Sequence, residues 1–205
     1  DLVAVEQHFL SQCHGVSWEL ATTRTFVCFA LRMSGRLREL CERFDRYTSD
    51  ADRTGDRYLG TNLRTFLSIV WMVRDDIDRA RRDIDGILDP WPGDMYQVQH
   101  FMYFFARCEQ ALYAGEIEAA AQLIATEDAR LRRSAMLRVG GIRLEQASIY
   151  GRVAVARAES AAAAQRPALL RQARESARCL AVSDHQTGVA MGAAIDASIR
   201  WLSPG

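Results

Sequence analysis

Two arginines, Arg24 and Arg64, stand 40 residues apart, and each follows a polar side chain by two positions: Thr22 before Arg24, Asn62 before Arg64. A guanidinium presents a planar fork of N–H donors that holds a carboxylate by two parallel hydrogen bonds. Recurring arginines with polar neighbours are therefore the chemistry of a groove for a peptide or an acidic group. Gln97, Gln99, His100, Tyr103 and Arg107 extend that set further along the chain. The positions matching Asn62 and Arg64 there are Met102 and Phe104, so the groove is not uniform. Arg24, Asn62, Arg64, Gln99, His100, Tyr103 and Arg107 are the candidate partner-binding residues.

Other chemistries find less support. His8, Cys13 and His14 lie close together, but neighbouring residues on a helix point about 100° apart, and a metal needs converging donors. No metal and no cofactor is expected. Cys13-His14 gives adjacency without the third group that orients a catalytic base, and Cys108 lies in an aromatic-rich helical pattern where a core thiol is the ordinary reading. The chain has no Lys, since all 26 basic residues are Arg. Phosphate-loop, Schiff-base and kinase-type lysines are thereby excluded within it. The cluster Arg130, Arg132, Arg133 and Arg138 is diluted by Glu127 and Asp128 and reads as a solvated turn. Trp91, between Pro90 and Pro92, either packs back on the helices or anchors a partner.

The elements that must carry these residues repeat. With Gly35, Asp75 and Gly115 as anchors, apolar or small residues fall two, five and nine positions later: Leu37, Leu40 and Phe44; Ile77, Ala80 and Ile84; Ile117, Ala120 and Ile124. Ala168 anchors a fourth copy with Leu170, Ala173 and Ala177. That spacing is one face of a helix, and a period near 40 signals stacked units that bury their faces on one another. Trp18, Tyr58 and Val98 share the position 17 before the anchor, which reads as a helix–helix packing site.

The pattern predicts helices over 2–13, 17–33, 36–53, 57–73, 76–89, a stretch ending at 113, 116–131, 134–163, a helix ending near 182, and 186–202. Ser17 is the expected cap of the second helix. Asp94 with Gln97 resembles a capping box. The apolar run Ser68 to Val73 lacks turn signals and is read as buried helix. The expected fold is all-α: an α/α solenoid of stacked antiparallel helix hairpins forming a right-handed superhelix. It is expected as one helical-repeat domain, 1–205, with repeats at about 17–54, 56–89, 94–132 and 134–183 and a terminal helix at 186–202.

Composition sets the surroundings. The formal charge is zero, which argues against a nucleic-acid binder. There is no signal-peptide pattern and no 18-residue apolar run, so no membrane is expected. The five cysteines are odd in number and form no Cys-x-x-Cys, which fits free thiols in the cytoplasm. The chain opens at Asp1 directly on a helical pattern and is read as a fragment of a larger multidomain protein.

The hairpin pattern, with small packing residues and Gly at the turns, resembles degenerate, extended tetratricopeptide repeats. Four stretches are more specific: Cys13-His14-Gly15-Val16-Ser17-Trp18-Glu19-Leu20, Thr61-Asn62-Leu63-Arg64-Thr65, Val98-Gln99-His100-Phe101-Met102-Tyr103 and Leu131-Arg132-Arg133-Ser134-Ala135-Met136-Leu137-Arg138-Val139. They are similar to the C-terminal helical-repeat region of bacterial signalling proteins that carry a serine/threonine kinase domain and a nucleotide-binding ATPase module. The resemblance implies a non-catalytic interaction and regulatory module of the cytoplasm. Its partner would be a protein, a peptide or another domain of the same chain, with kinase and ATPase activities lying elsewhere in the parent. The alternative is an effector sensor that binds a small molecule in the concave face and regulates an attached ATPase or kinase. A deep apolar pocket would favour the sensor, and an open groove the interaction module.

Overall fold

The computed structural model describes residues 1–89, 91 and 95–203. Among the described residues the fold is all-α, with eleven α-helices, one short 3-10 helix and no strand. Among them no helix is long and apolar enough to cross a membrane. The chain gathers into two compact units, Asp1–Pro92 and Gly93–Gly205.

The first unit holds α1 (Leu2–Gln12), α2 (Ser17–Met33), α3 (Leu37–Thr54), α4 (Arg57–Phe66), α5 (Ile69–Val73) and α6 (Ile77–Ile84). α1 packs on α2, α2 on α3, α3 on α4 and α5 on α6; α2 also packs on α4, α3 on α5 and α4 on α6. The core follows from the expected periodicity. On α3, Leu40, Phe44, Tyr47 and Ala51 recur every three or four residues and are all buried. Leu59, Leu63, Leu67 and Val70 meet them from α4, α5 and the turn that joins these two.

The turns explain the period. Gly35 and Gly115 adopt φ of 70° and 74°, and Asp75 adopts φ 57°, the one non-glycine in that region among the described residues. L-residues other than Gly, Asn and Asp are penalised there by contact between Cβ and the backbone. Gly15 and Gly55 adopt the same conformation, so a left-handed residue recurs every 20 residues from Gly15 to Asp75, lying between consecutive helices each time.

The second unit holds α7 (Val98–Tyr113), α8 (Ile117–Arg133), a 3-10 turn at Met136–Arg138, α9 (Gly140–Ser160), α10 (Arg166–Ala181) and α11 (Gln186–Leu202). Here α9 packs on α7, α8, α10 and α11. Its floor is made of small residues: Ala147, Ala154, Ala158, Ala173 and Ala177 are buried with Leu170, Leu180, Ile195 and Ile199. The approach of the helices is so close that a Cβ on Gly151 would stand 2.7 Å from Ile195 Cδ1, and one on Gly192 2.9 Å from the Ala177 carbonyl.

Several expected boundaries move for identifiable reasons. Ser17 is the first helical residue and makes no side-chain cap; Val16 occupies the cap position. The helix expected over 57–73 breaks at Leu67–Ser68, where Val70 and Trp71 donate three residues back and tighten the turn. The helix over 76–89 stops at Ile84, because Gly86 turns left-handed at φ 63°. Ser134 accepts from Met136 N–H at 3.2 Å and so caps the 3-10 turn, while the long helix starts only at Gly140. Ala168 lies inside α10, so the fourth copy keeps its buried columns and turns instead over 161–165. Leu40, Phe44 and Ile84 are buried as expected, whereas Leu37, Ile77, Ile117 and Ile124 are only half-buried. Asp94 of the expected capping box lies outside the described residues.

The glycines of α9 and α11 generate a test. Gly192→Ala places a methyl against a backbone carbonyl that cannot swing aside, and overpacking of this kind costs about 1–3 kcal/mol. Gly141 has nothing within 4 Å of its would-be Cβ, so Gly141→Ala should stabilise by about 0.5–1 kcal/mol through helix propensity. Urea unfolding of both variants checks this: the midpoints should move in opposite directions.

Candidate functional site

Arg24 projects from the middle of α2 between α1 and α3. Its Nε donates to Glu6 Oε1 at 3.1 Å and its Nη1 to Asp50 Oδ2 at 2.5 Å. Burial opposes the charge on Arg24, but the bonds to Asp50 and Glu6 outweigh it and hold the guanidinium above its ordinary pKa. The same bond to Arg24, with a smaller one from Arg53, holds the Asp50 carboxyl below the usual range. Tyr47 donates to Glu6 Oε2 at 2.6 Å and receives Arg43 and Arg46 on the same oxygen. Burial, then the bond to Glu6, pushes its phenol up.

Arg64 makes a similar arrangement 40 residues later. From α4 it donates through Nη2 to both oxygens of Asp52 on α3, at 2.9 and 2.7 Å, and through Nε to Asp83 on α6 at 3.3 Å. Asp83 also accepts Trp71 Nε1 at 2.9 Å, and the Trp71 ring meets Phe44 edge-on with centroids 5.8 Å apart. Both arginines thus join the helix before their own to a helix after it. Asn62, on the same helix as Arg64, is buried.

In the second unit Gln99 and His100 are buried on α7. His100 Nδ1 accepts Gln97 N–H at 3.2 Å, closing the first turn of the helix. Burial, then the Arg130 charge, lowers the His100 pKa, which keeps that acceptor unprotonated. Its ring lies 5.7 Å from Tyr96, and Arg130 sits over the Tyr96 ring at 5.3 Å. Arg107 donates to Tyr103 one turn back at 2.9 Å. Gln99, His100, Tyr103 and Arg107 are thus placed on one helix, with two inside and two at its surface. Arg132, from the basic cluster, is held by Asp128 at 2.7 Å.

Two surface features appear that spacing alone left open or assigned otherwise. The first is an aromatic row in the first unit. Trp18, in the first turn of α2, packs on Tyr58, in the first turn of α4, with centroids 6.4 Å apart; Tyr58 in turn meets Trp91 at 6.4 Å. Trp91 packs back, its Nε1 donating to Thr61 Oγ1 at 3.2 Å. Of the expected packing column, Tyr58 packs against the core and Val98 is half-buried, whereas Trp18 is 61% exposed. The helix before it, α1, leaves its ring uncovered. The second feature is a groove of about 620 Å³ between α8 and α10, floored by α9. Ala147, Tyr150, Val153 and Ala154 form the floor, while Asp128, Arg132, Glu175 and Cys179 stand at the walls. Tyr150 donates to Asp128 at 3.0 Å across it. Its wall residues Ala125, Arg132, Gln172, Glu175 and Cys179 are exposed, which makes it open and mixed in polarity.

All five cysteines are free. Cys28 and Cys108 are buried, and burial pushes both thiols up to about 12. Among the described residues no three His, Cys, Asp or Glu side chains converge as metal ligands. No family model, no curated protein and no solved structure matches the chain.

Two measurements follow from this geometry. Asp83→Ala leaves Arg64 Nε and Trp71 Nε1 without their acceptor in a largely buried place. It should destabilise by about 2–3 kcal/mol, the penalty for orphaned buried donors, whereas Asp52→Ala, which removes an exposed partner, should stay within about 1 kcal/mol. Chemical denaturation of the two variants ranks them. A disulfide reagent at pH 8 should label Cys179 within the native protein and reach Cys28 and Cys108 only on unfolding, because the thiolate is the reactive form; peptide mapping of the labelled sites reads this directly.

Proposed function

We propose that the chain is a protein-interaction and regulatory module, built as stacked antiparallel helix hairpins in the tetratricopeptide manner, that acts without a bond-making step of its own. The observation that carries this reading is the row Trp18, Tyr58 and Trp91. Trp18 is exposed and is braced by the half-buried Tyr58, which Trp91 backs in turn; a large, pre-positioned aromatic side chain supplies contact area at little entropic cost, which is what interface hot spots require. Neighbour packing supports the stacked arrangement: within each unit the packed helix pairs are one or two apart in sequence. The open groove on the second unit supports a macromolecular partner over a small effector, which would call for an enclosed apolar pocket.

The partner on this reading is a protein or peptide, or another domain of a longer chain. The similarity of four sequence stretches to the repeat region of bacterial kinase/ATPase signalling proteins motivates a regulatory role of that kind in the cytoplasm. Arg24 and Arg64 brace the helices on which the row is displayed.

Trp18→Ala tests the reading. Loss of an exposed ring should leave unfolding within about 0.5 kcal/mol of wild type. Removal of a hot-spot aromatic costs a complex about 2 kcal/mol or more, roughly a thirtyfold loss of affinity. Affinity capture from the source cell with wild-type and Trp18→Ala chains, quantified by mass spectrometry, should show a set of proteins retained by the first and lost by the second. An identical set, at equal melting temperature, would remove the row as the binding surface.

A further inference from the structure

α1 is attached in an unusual way. Its single buried residue is a charge, Glu6, with 2% exposure. Its large apolar residues Leu2, Val5 and Leu10 are 39%, 40% and 51% exposed. Val3 and Phe9, three positions to either side of Glu6, are half-buried, and Val3 reaches the core. A helix normally docks by an apolar stripe; this one docks by a carboxylate.

The receiving groups are fixed independently of α1. Arg24 on α2 is held by Asp50 at 2.5 Å, and Arg43 on α3 by Glu39 at 3.2 Å. Tyr47 is fully buried, with Arg43 Nη1 and Arg46 Nη2 donating to its hydroxyl oxygen at 2.9 and 3.2 Å. Into this arrangement Glu6 places one oxygen on Arg24 and the other on Tyr47, with Arg43 at 3.5 Å. Without Glu6 the site keeps the guanidiniums of Arg24, Arg43 and Arg46, while its two nearby carboxylates, Asp50 and Glu39, are shared with Arg53 and Arg36 as well. It is built for one more carboxylate. Beside it lies a cleft of about 350 Å³ lined by Gln7, Leu10, Arg24, Arg46, Ser49 and Asp50 among others.

We propose that Arg24, Arg43 and Tyr47 form a receptor for an acidic amphipathic helix, and that α1 is its occupant within the chain, displaceable by a partner helix that carries a carboxylate between two apolar residues at −3 and +3. A buried ion pair contributes specificity more surely than net stability, because desolvation offsets most of the Coulombic gain. Such a lock recognises its occupant strictly yet releases it at modest cost, and elements with little apolar burial are the ones that open first. The partner is thus defined by the register of α1 itself: apolar, two residues, carboxylate, two residues, apolar. This site is separate from the aromatic row, and its test does not depend on Trp18.

The experiment uses the full chain as wild type, Glu6→Ala and Glu6→Gln. Its probes are two fluorescein-labelled synthetic peptides of residues 1–12, one with the native sequence and one carrying Glu6→Gln. Hydrogen exchange should show the α1 amides exchanging at least tenfold faster in the Glu6→Ala chain, while α2 to α6 keep their protection. Anisotropy should show the native peptide binding the Glu6→Ala and Glu6→Gln chains saturably and at least tenfold more tightly than it binds wild type. The substituted peptide should bind each variant chain at least tenfold more weakly than the native peptide does. Unchanged α1 protection in the Glu6→Ala chain would mean that apolar contacts hold the helix and would overturn the proposal. Equal binding of the two peptides would do the same, as would loss of α2–α6 protection in both variants, which would make Glu6 a brace of the whole unit.

Discussion

Arginines in the middle of one helix that bond to acids on helices at both sides set the alignment of the first unit. Arg24 joins Glu6 of α1 to Asp50 of α3, and Arg64 joins Asp52 of α3 to Asp83 of α6. Hydrophobic burial between neighbouring hairpins is non-directional and would tolerate a slipped register. A guanidinium with two acids at fixed places is not so tolerant, because a shift of one residue turns a helical side chain by about 100° and leaves both partners unpaired. The core supplies the drive to associate, and the arginines select one alignment. Trp71 adds to the second of these ties by donating to the same Asp83 while its ring closes on Phe44.

The second unit solves the same problem without the arginine. The position 11 before Gly115 is Phe104, buried and in edge contact with Tyr150 of α9. Further along, α9, α10 and α11 meet through alanines and through Gly151 and Gly192, where there is no room for a methyl group. Close approach of backbones restricts sliding as firmly as an ion pair, since interiors are packed near crystal density and a displaced ridge finds no groove. Helix packing is thus held in register by charge in the first unit and by shape in the second.

The fold was legible because its punctuation is chemical. Gly35, Asp75 and Gly115 are the left-handed turns, and the columns after them set which face is buried; Leu40, Phe44, Ala80, Ile84 and Ala120 lie where the period puts them. What spacing did not give were features set by partners distant in sequence. Nothing local marks Leu67–Ser68 as a break, and nothing local tells Arg64 to choose Asp52, 12 residues earlier, and Asp83, 19 later. Asp85-Gly86, by contrast, is a local turn signal, and it ended α6 early. For the candidate site the period correctly grouped Arg24 with Arg64, but grouping says that two residues share a role and not whether that role faces outward. Asn62, Gln99 and His100 show the same ambiguity: polar residues on a helix in a pattern that reads as surface, each buried.

That ambiguity has a physical source in how helices pack. In a stack, the side of a helix that faces its neighbour and the side that would face a ligand need similar donors, because the neighbour is itself a helix with carboxylates on it. An arginine that recognises an acidic helix in a partner and one that recognises an acidic helix in its own chain have the same sequence signature. The burial of the acid distinguishes them. Asp52 is well exposed and Asp83 is largely buried on α6, so Arg64 is anchored within a packed unit. Glu6 is as buried as Asp83, but the helix that carries it contributes no other buried side chain. The charge is enclosed while its helix is not, and an intramolecular contact of that form is chemically the same as a bound ligand.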